Sequence, residues 1–478
     1  MKEVKCMQKH EMFINGQWVG DDLEQIDVVN PATNEVIATV PKGGAGEAKR
    51  AVDAAAQALD KWGKKTAEER SAYLFKWHEL INQEKEIIGK IMTKEQGKPL
   101  KEAIGEIDYA NGFISWYAEE GKRIYGDIIP ASHENKRILV QKQPVGVVAA
   151  ITPWNFPAAM ITRKIGPALA AGCTAVIKPA TQTPLTAFKL IELAEKSGIP
   201  KGVINIVTGS SGPIGETWSA DGRVRKLTFT GSTEVGKLLM KGATDTMKKV
   251  SLELGGHAPL IVMVDADLDK AVSGTISSKF RNAGQTCVCT NRVYVHESIK
   301  EAYEERLTEA VSKLKVGNGL EEGVDIGPLI DQSAVNTVQQ QVKDAVSKGG
   351  KLAYGGENKE GLYFTPTVVT DATDDMLCMY EETFGPLLPI TTFKEEEEVI
   401  ERANNSPFGL AAYVFTENIS KAIRVSEALE YGIIGLNDGS PSTPQAPFGG
   451  FKESGLGREG GYYGIEDFLE TKYISLAF

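Results

Sequence analysis

The sequence has few cysteines, no long apolar run and no excess of basic residues, and each shortage excludes a class of protein. Five cysteines in 478 residues are too few for a disulfide scaffold. The most apolar stretches, residues 145–151 and 260–264, are far shorter than the roughly 20 residues of a membrane-spanning helix. Residues 1–16 contain no apolar segment of a secretory signal, so we expect a cytoplasmic protein with reduced thiols.

Charge and composition narrow the class further. Basic residues number 53 and acidic residues 64, which gives a net charge of −11. An acidic surface of this kind disfavours nucleic acids and anionic membranes as partners. Hydrophobic residues make up 42% and charged residues 24%, which is typical of a globular protein with a sizeable core. The five cysteines and five histidines lack the spacing of metal ligands or of a Cys–His hydrolase, so we predict no metal site.

The N-terminal part predicts a hairpin followed by helices. Residues 12–19 (MFINGQWV) alternate around an Asn-Gly turn, which is typical of a short hairpin. Apolar residues recur at helical spacing within residues 52–62. Thr66 and Glu69 have the spacing of a capping box, which predicts a second helix to about residue 93. We expect both helices only to cover a sheet.

From about Pro144 onward, short apolar runs alternate with helical segments. This alternation predicts a parallel sheet buried on both faces, hence an α/β protein with a doubly wound domain. A second α/β series begins at residues 260–264 and continues to about Phe451. The apolar runs of the first series are residues 145–151, 174–178, 203–207, 226–230 and 250–254.

Two further segments, residues 136–143 and 472–478, alternate like edge strands. An unpaired edge exposes backbone donors and acceptors, so we expect these strands to pair with each other and with a neighbouring subunit. The acidic run 395–398 is predicted to form the solvated first turn of a helix, where it complements the helix dipole.

The segment GSTEVGK (231–237) contains most of a phosphate-binding loop, placed between a predicted strand and a predicted helix. A P-loop of a nucleotide hydrolase needs Ser or Thr next to hold Mg²⁺, but the next residue is Leu238. Backbone N–H groups at the start of the helix can still bind a pyrophosphate. No G-x-G-x-x-G follows a predicted strand, so any nucleotide bound here is bound in a non-standard way.

Glu253 and Cys287 are the candidate catalytic pair. Glu253 ends an apolar strand and is followed by two glycines, which predicts a carboxylate at the carboxyl edge of the sheet, the usual place of a site in such folds. Cys287 follows Ala-Gly-Gln-Thr, small residues that let a substrate approach the sulfur. Either residue alone is more often structural, but the pair, separated by one α/β excursion, favours a functional role.

Seven motifs occur in an order that resembles the aldehyde dehydrogenase superfamily, from about Ile14 to the C terminus. Residues 120–127 and 280–289 further resemble its succinate-semialdehyde dehydrogenase branch. The motifs are PWNFP (153–157), IKPA (177–180), FTGS (229–232), LELGG (252–256), GQTC (284–287), EETFGP (381–386) and PFGGFKESGLGRE (447–459).

The resemblance implies the family fold and its division into domains. The cofactor-binding domain would comprise residues 1–125 and 145–252, and the catalytic domain residues 253–450. Residues 126–144 and 459–478 would supply the strands of oligomerisation in a dimer or, as we expect, a tetramer.

The resemblance also implies a covalent mechanism. Cys287 would attack the aldehyde as a thiolate, a hydride would leave to a nicotinamide, and water would hydrolyse the thioester. Glu253 would be the general base, with a pKa raised towards the working pH. Asn155 would donate its amide to the oxyanion together with the Cys287 N–H, and losing one such donor typically costs about 3–4 kcal/mol.

The implied cofactor is NADP or NAD. Strictly NAD-dependent relatives often carry Glu at the position of Thr181, which repels a 2′-phosphate; the uncharged Thr181 admits NADP and favours it slightly. Lys178 would bind the adenine ribose, Gly231 and Ser232 the pyrophosphate, and Glu382 the nicotinamide ribose. The remaining contacts implied by the resemblance are Trp154, Pro179, Ala180, Gly236, Leu254 and Phe384.

The implied substrate is a semialdehyde with a distal carboxylate. Arg163 and Arg281 would clamp this carboxylate in bidentate geometry, with Ser442 assisting. The loop 439–450 departs from the branch pattern at Pro441, Pro444 and Gln445, so succinic and glutaric semialdehydes both remain open.

Other interpretations are weaker. CoA-acylating relatives generally lack the base glutamate, so Glu253 favours hydrolysis of the thioester. A catalytically silent protein on the same scaffold conflicts with the joint presence of Cys287, Asn155 and Lys178. Cys289, two residues from the nucleophile, prompts the hypothesis of an oxidation-sensitive cysteine pair, for which a packed core thiol is the equal alternative.

Overall fold

The computed structural model describes residues 8–478. Cys6 and the beginning of the segment searched for a secretory signal lie outside the described residues. None of the helices in residues 8–478 has both the length and the apolar character needed to cross a membrane.

Thirteen α-helices and twenty-three strands follow one another along residues 8–478. The helices are α1 (Ala45–Gly63), α2 (Ala67–Gln96), α3 (Leu100–Glu120), α4 (Ala159–Ala171), α5 (Pro184–Lys196), α6 (Ser211–Ala220), α7 (Thr233–Ala243), α8 (Leu268–Lys279), α9 (Lys300–Ser312), α10 (Gln332–Ser347), α11 (Glu396–Asn404), α12 (Ile419–Ala428) and α13 (Tyr463–Glu466). The strands are β1 (Gln8–Lys9), β2 (Met12–Ile14), β3 (Gln17–Val19), β4 (Gln25–Asn30), β5 (Glu35–Pro41), β6 (Asp127–Ile129), β7 (Lys136–Pro144), β8 (Val147–Ile151), β9 (Thr174–Lys178), β10 (Ile204–Ile206), β11 (Val224–Thr230), β12 (Lys249–Glu253), β13 (Ala258–Val262), β14 (Thr290–His296), β15 (Lys351–Tyr354), β16 (Thr367–Thr370), β17 (Leu387–Phe393), β18 (Phe408–Gly409), β19 (Ala411–Phe415), β20 (Ile433–Leu436), β21 (Phe451–Lys452), β22 (Gly455–Leu456) and β23 (Leu469–Ala477).

The first large sheet has the strand order β22-β12-β11-β8-β9-β10-β2-β3. Its five central strands are parallel, which confirms the prediction from the apolar runs. The predicted hairpin forms one antiparallel edge, with Phe13 opposite Trp18, and β22 forms the other. Parallel strands covered on both faces exclude water, which explains why these runs are nearly unbroken in apolar residues.

A second large sheet has the order β15-β16-β17-β14-β13-β19-β20. Its strands are parallel except for β15 at one edge, so the second α/β series is confirmed. The acidic run 395–398 opens α11, as predicted.

A small third sheet has the order β23-β7-β6. Strands β7 and β23 pair antiparallel along their whole length, from Pro144 opposite Leu469 to Lys136 opposite Ala477, which confirms their predicted pairing. Several apolar side chains of this sheet are exposed, among them Ile128 and Tyr473.

The helices do more than cover sheets. The capping box of Thr66 and Glu69 begins α2 as predicted. However, the expectation that the first two helices only cover a sheet is incomplete, because Gln96 in the last turn of α2 donates a hydrogen bond to Asn282 beside the candidate site. The next helix, α3, lines that site directly with Glu102 and Tyr109.

Candidate active site

A cavity of about 290 Å³ brings Cys287 together with Arg163, Arg281 and Ser442. These four residues come from three separate parts of the sequence, yet they line one space, as expected for a nucleophile and a carboxylate clamp. The other residues that line the cavity are Lys98, Glu102, Gly105, Glu106, Tyr109, Phe156, Ala159, Met160, Thr286, Val288 and Phe448.

Cys287 lies in the loop between α8 and β14. The loop begins with three residues in left-handed conformation, Asn282, Ala283 and Gly284, with φ of 52°, 55° and 76°. This conformation is unfavourable for alanine and persists only where surrounding contacts enforce it. Burial raises the pKa of the Cys287 thiol to about 12, and the positive charge of Arg163 opposes this rise. The sulfur therefore needs a proton acceptor to react near neutral pH.

Glu253 ends β12, as predicted, and is only 2% exposed. Neither of its carboxylate oxygens has a hydrogen-bond partner within residues 8–478. Burial, together with the negative charge of Glu459, raises the pKa of Glu253 well above its ordinary value. Arg163 and Lys164 oppose this rise. A buried carboxyl group with a raised pKa and no fixed partner is suited to proton transfer.

Asn155 is buried at the start of the turn that leads into α4. Its side-chain Nδ2 donates to the carbonyl oxygen of Gln285 at 3.1 Å, two residues before Cys287. The structure therefore brings the predicted oxyanion donor to the segment that carries the predicted nucleophile.

The two arginines of the predicted clamp have different surroundings. Arg163 is 1% exposed and forms a buried ion pair with Glu459. Its guanidinium lies over the Phe448 ring, 4.4 Å from the ring centre. Arg281 lies 5.4 Å from the centre of the Phe156 ring and has no ion pair with any described residue. The Arg281 charge is therefore available to an anionic ligand, whereas that of Arg163 is shared with Glu459.

Glu459 and Lys164 were missed as functional residues. Lys164 is fully buried, and its Nζ donates to Glu459 and, at 2.7 Å, to Thr230 Oγ1. Glu459 therefore binds both basic residues of α4 and lies close enough to Glu253 to raise its pKa. The GLGRE motif contained Glu459, but nothing in the local sequence indicates its partners.

The residues expected to hold a dinucleotide fit such a ligand. Lys178, at the end of β9, is buried and donates only to the Pro179 carbonyl, at 3.2 Å, with no ion pair among the described residues. Burial lowers the pKa of Lys178 to about 8. Ser232 caps α7 by accepting the Val235 N–H, and the start of such a helix can bind a phosphate. An amine without an ion pair at the end of β9 and a helix start after β11, with only β8 between these two strands, suit a ribose and a pyrophosphate.

Gly236 and Leu254, two of the predicted cofactor contacts, pack against each other. A Cβ on Gly236 would lie 2.4 Å from the Leu254 side chain, so a larger residue would force that leucine to move. Similarly, Gly231 accommodates the ring of Phe229 and donates its N–H to the Glu253 carbonyl at 3.1 Å. The glycines of GSTEVGK therefore bring α7 close to β11 and β12.

The nicotinamide end of the predicted site lies near the nucleophile loop. Phe384 and Trp154 meet edge to face, with ring centres 5.6 Å apart. Glu382 accepts the Gly256 N–H at 3.0 Å, and burial raises the pKa of its carboxyl to about 7.

Thr181 does not line the Cys287 cavity. It lines a separate cavity of about 1130 Å³, together with Gln182, Ser211 and Glu95. The preceding residue, Ala180, is buried. This separation is compatible with the predicted contact of Thr181 at the far, adenosine end of a dinucleotide.

Cys289 is fully buried as a free thiol. Its sulfur donates to the Gly284 carbonyl at 3.2 Å and lies 4.0 Å from Lys279 Nζ. Its pairing with Cys287 stays a hypothesis. In the described part of the chain, no cluster of three or more His, Cys, Asp or Glu residues could hold a metal ion.

Comparisons with known proteins agree with this geometry. Residues 18–474 match the model of the aldehyde dehydrogenase family. The chain is 57% identical to a glutarate-semialdehyde dehydrogenase of Pseudomonas putida, over 98% of each chain. It is 55% identical to the succinate-semialdehyde dehydrogenase (NADP(+)) GabD of Escherichia coli K12, also over 98% of each chain. A crystal structure of an E. coli NADP dependent enzyme superposes with a TM-score of 0.98 at 54% identity, over 99% of each chain. The predicted fold is thereby confirmed, and the chain belongs to the aldehyde dehydrogenase family.

Proposed function

We propose that the protein oxidises succinic semialdehyde to succinate through a thioester on Cys287. The family makes the chain an NAD(P)-dependent oxidoreductase that acts on an aldehyde group. The observation that carries the substrate is the single cavity shared by Cys287, Arg163, Arg281 and Ser442. A nucleophile and two guanidiniums in a space of about 290 Å³ suit a short aldehyde with a carboxylate at its other end.

The carboxylate of the substrate binds chiefly to Arg281. This guanidinium lies against the Phe156 ring and forms no ion pair with a described residue, although Glu102 lines the same cavity. Ser442 supplies a hydroxyl donor in the same cavity. Arg163 adds positive charge from the cavity wall, although Glu459 holds its guanidinium. The aldehyde carbon of the bound substrate is thereby directed towards the Cys287 sulfur.

Cys287 and Glu253 carry out the covalent chemistry. Glu253 accepts the thiol proton, directly or through a water molecule, and the sulfur adds to the aldehyde carbon. The oxyanion that forms accepts hydrogen bonds from Asn155 Nδ2 and the Cys287 N–H. Once the hydride has left the substrate, Glu253 releases the thiol proton to solvent. It then takes a proton from water, the hydroxide adds to the thioester, and the carboxylic acid leaves as the sulfur takes the proton back from Glu253.

The cofactor cleft lies between the strand ends and α7. Lys178 binds the adenine ribose, Ser232 and Gly231 bind the pyrophosphate, and Glu382 binds the nicotinamide ribose. A bound NADP or NAD supplies the hydride acceptor. Thr181 itself is uncharged, so the side chain at this position does not repel a 2′-phosphate.

Glutaric semialdehyde is the second candidate substrate. One relative of 57% identity bears that name, and another of 55% identity is named for the four-carbon aldehyde. The substrate cavity is open at Gly105, which has no side chain to limit the length of a ligand.

The third sheet is the proposed site of homo-oligomerisation. Ile128 is 79% exposed, Tyr473 62% and Phe478 69%. Such a concentration of exposed apolar side chains at the edges of the third sheet favours burial against another copy of the chain. We expect a tetramer or dimer in the cytoplasm. Sedimentation of the wild type and of Tyr473→Asp, which places a charge on this sheet, would test the oligomeric state.

The deciding experiment compares four-carbon, five-carbon and uncharged aldehydes of similar length, with NADP and NAD side by side, by the absorbance of the reduced nicotinamide. We expect the four-carbon acid to have the highest kcat/KM and Arg281→Met to remove most of that advantage, while the rate with the uncharged aldehyde changes little. Equal rates with charged and uncharged aldehydes would reject the clamp and leave only the family assignment.

A further inference from the structure

Asn155 is hydrogen-bonded to the loop that carries Cys287 through both its side chain and its main chain. Its side-chain Nδ2 donates to the Gln285 carbonyl at 3.1 Å. Its main-chain carbonyl oxygen accepts two buried side-chain donors, Asn282 Nδ2 at 3.0 Å and Lys98 Nζ at 2.8 Å. Three buried hydrogen bonds therefore hold Asn155, two of them to Asn282 and Gln285 in the loop that carries Cys287.

Asn282 is held by contacts at every polar atom of its side chain. It is 1% exposed and left-handed, with φ 52° and ψ 36°. Its Nδ2 donates to Asn155 and, at 3.2 Å, to the Gln285 carbonyl, while its Oδ1 accepts from Gln96 Nε2 at 2.9 Å. Its backbone N–H donates to Glu102 at 2.8 Å. Helices α2 and α3 thus hold Asn282 in its strained conformation. Asn282 in turn links Asn155 to the segment that precedes Cys287.

Lys98 holds the same turn from the other side. It is 2% exposed and forms an ion pair of 2.5 Å with Glu106. The other oxygen of Glu106 accepts the N–H groups of Ala158 and Ala159, at 2.9 and 3.3 Å. The ammonium also lies 3.9 Å from the centre of the Phe156 ring. Lys98 therefore holds the start of the segment 155–159 through the Asn155 carbonyl, and Glu106 holds its end through the N–H groups of residues 158 and 159.

We propose that Asn282 and Lys98 are positioning residues that fix the Asn155 amide relative to the Cys287 sulfur. An amide nitrogen carries two hydrogens, and the Gln285 carbonyl takes one of them. The second hydrogen is then directed to the oxyanion at a fixed distance from the sulfur. A displacement of about 1 Å at such a site can cost up to 10²-fold in rate. This inference rests on the proposed role of Asn155 as oxyanion donor.

The test separates two reactions of Cys287. Alkylation by iodoacetamide forms no oxyanion, whereas acyl transfer from p-nitrophenyl acetate passes through a tetrahedral oxyanion and needs no dinucleotide. In Asn282→Asp, which replaces the donor by an acceptor of the same shape, we expect kcat and acyl transfer to fall together by about 10²-fold. The KM for the aldehyde and the alkylation rate should stay within about threefold of the wild type, because the clamp and the sulfur are unchanged.

Two further variants guard against misfolding and charge effects. Asn282→Gly keeps the left-handed backbone and removes the side chain, and should give the same split between the two reactions. Lys98→Met with Glu106→Gln removes both charges together, so that neither remains buried without its partner. The matched control is Asn205→Asp, because Asn205 is also a buried amide whose Nδ2 donates to two carbonyls, those of Ala175 and Gly202, away from the cavity. It should lower stability and leave the acyl-transfer rate of the folded protein unchanged.

The outcomes are distinct. A parallel loss of alkylation and acyl transfer in the Asn282 variants would overturn the inference, since it would mean a general structural role. Unchanged acyl transfer in both variants would overturn it too. Asn155→Ala tests the underlying function: if this variant keeps its full kcat, the proposed oxyanion role itself fails, whereas a loss there without a loss at Asn282 refutes only the positioning.

Discussion

The guanidinium of Arg163 and the carboxylate of Glu459 form an ion pair in which both side chains are at most 4% exposed. Glu459 also binds Lys164, so one buried carboxylate faces two buried cations. The same carboxylate raises the pKa of Glu253, after the larger effect of burial. Glu459 therefore couples the charge of Arg163 in the cavity wall to the pKa of Glu253, the candidate base.

This coupling predicts an altered pH profile for Glu459→Gln. The groups that act on the Glu253 carboxyl are Glu459, which raises its pKa, and Arg163, Lys164 and Arg458, which lower it. Without the Glu459 charge the pKa of Glu253 should fall. The base then ionises at lower pH, so the acid limb of kcat against pH should move towards acid. Glu466→Gln, which loses a carboxylate paired with Lys142 instead, serves as control and should leave the limb in place. A shift towards alkali would contradict the coupling.

The parts of the site that the sequence predicts are those encoded by local patterns. Glu253 lies at a strand end because an apolar run stops there and two glycines follow. Ser232 caps a helix because it precedes a helical pattern after a strand. The motif order then indicates that Cys287 and Asn155 belong to one site, which the geometry supports through the Asn155–Gln285 hydrogen bond.

The supporting contacts were not predictable, because they join residues far apart in sequence. Lys164 and Glu459 are 295 positions apart, and Gln96 and Asn282 are 186 apart. With 64 acidic and 53 basic residues in the chain, composition does not indicate which charges pair in the interior. The left-handed conformation of Ala283 is equally invisible in sequence, since nothing local favours it. One missed signal was available: Glu102, Gly105, Glu106 and Tyr109 have the spacing of one helix face.

Replacement of Glu253 should separate activity from stability. Glu253→Gln removes the candidate base, and we expect kcat to fall by about 10²- to 10⁴-fold. The folded protein holds the Glu253 proton more tightly than the unfolded chain does, because burial raises its pKa above the ordinary 4.5. The Glu253 carboxyl therefore stabilises the folded protein below about pH 4.5, and this contribution is lost as the pH rises through the folded-state pKa. The variant should therefore have a higher Tm than the wild type at neutral pH and no advantage near pH 4.5. A lower Tm at neutral pH would contradict this assignment.

The free enzyme should have an unactivated nucleophile. Burial raises the pKa of Cys287 to about 12, and Arg163 only partly offsets this effect. The rate of alkylation by iodoacetamide should therefore rise with pH through neutral and mildly alkaline solution without reaching a plateau. A small thiol with an ordinary pKa of about 8.5 serves as the reference, because its rate levels off above about pH 9.5 while that of Cys287 should still rise. A plateau for Cys287 near neutral pH would show that the free enzyme already holds a thiolate.

Gly105 should control the length of substrate that the cavity accepts. It lies inside α3 at the rim of the Cys287 cavity, and a Cβ added there meets no atom within 4 Å. A helix-interior glycine costs about 1 kcal/mol relative to alanine, so Gly105→Leu should stabilise the helix while its side chain narrows the rim. We expect kcat/KM for glutaric semialdehyde to fall about tenfold relative to that for succinic semialdehyde. Gly46→Ala is the matched control, because Gly46 also lies in a helix with open space around it, away from the cavity. Equal losses for both aldehydes in Gly105→Leu would mean that the rim limits entry of any substrate, and chain length would then be set deeper, at Arg281 and Ser442.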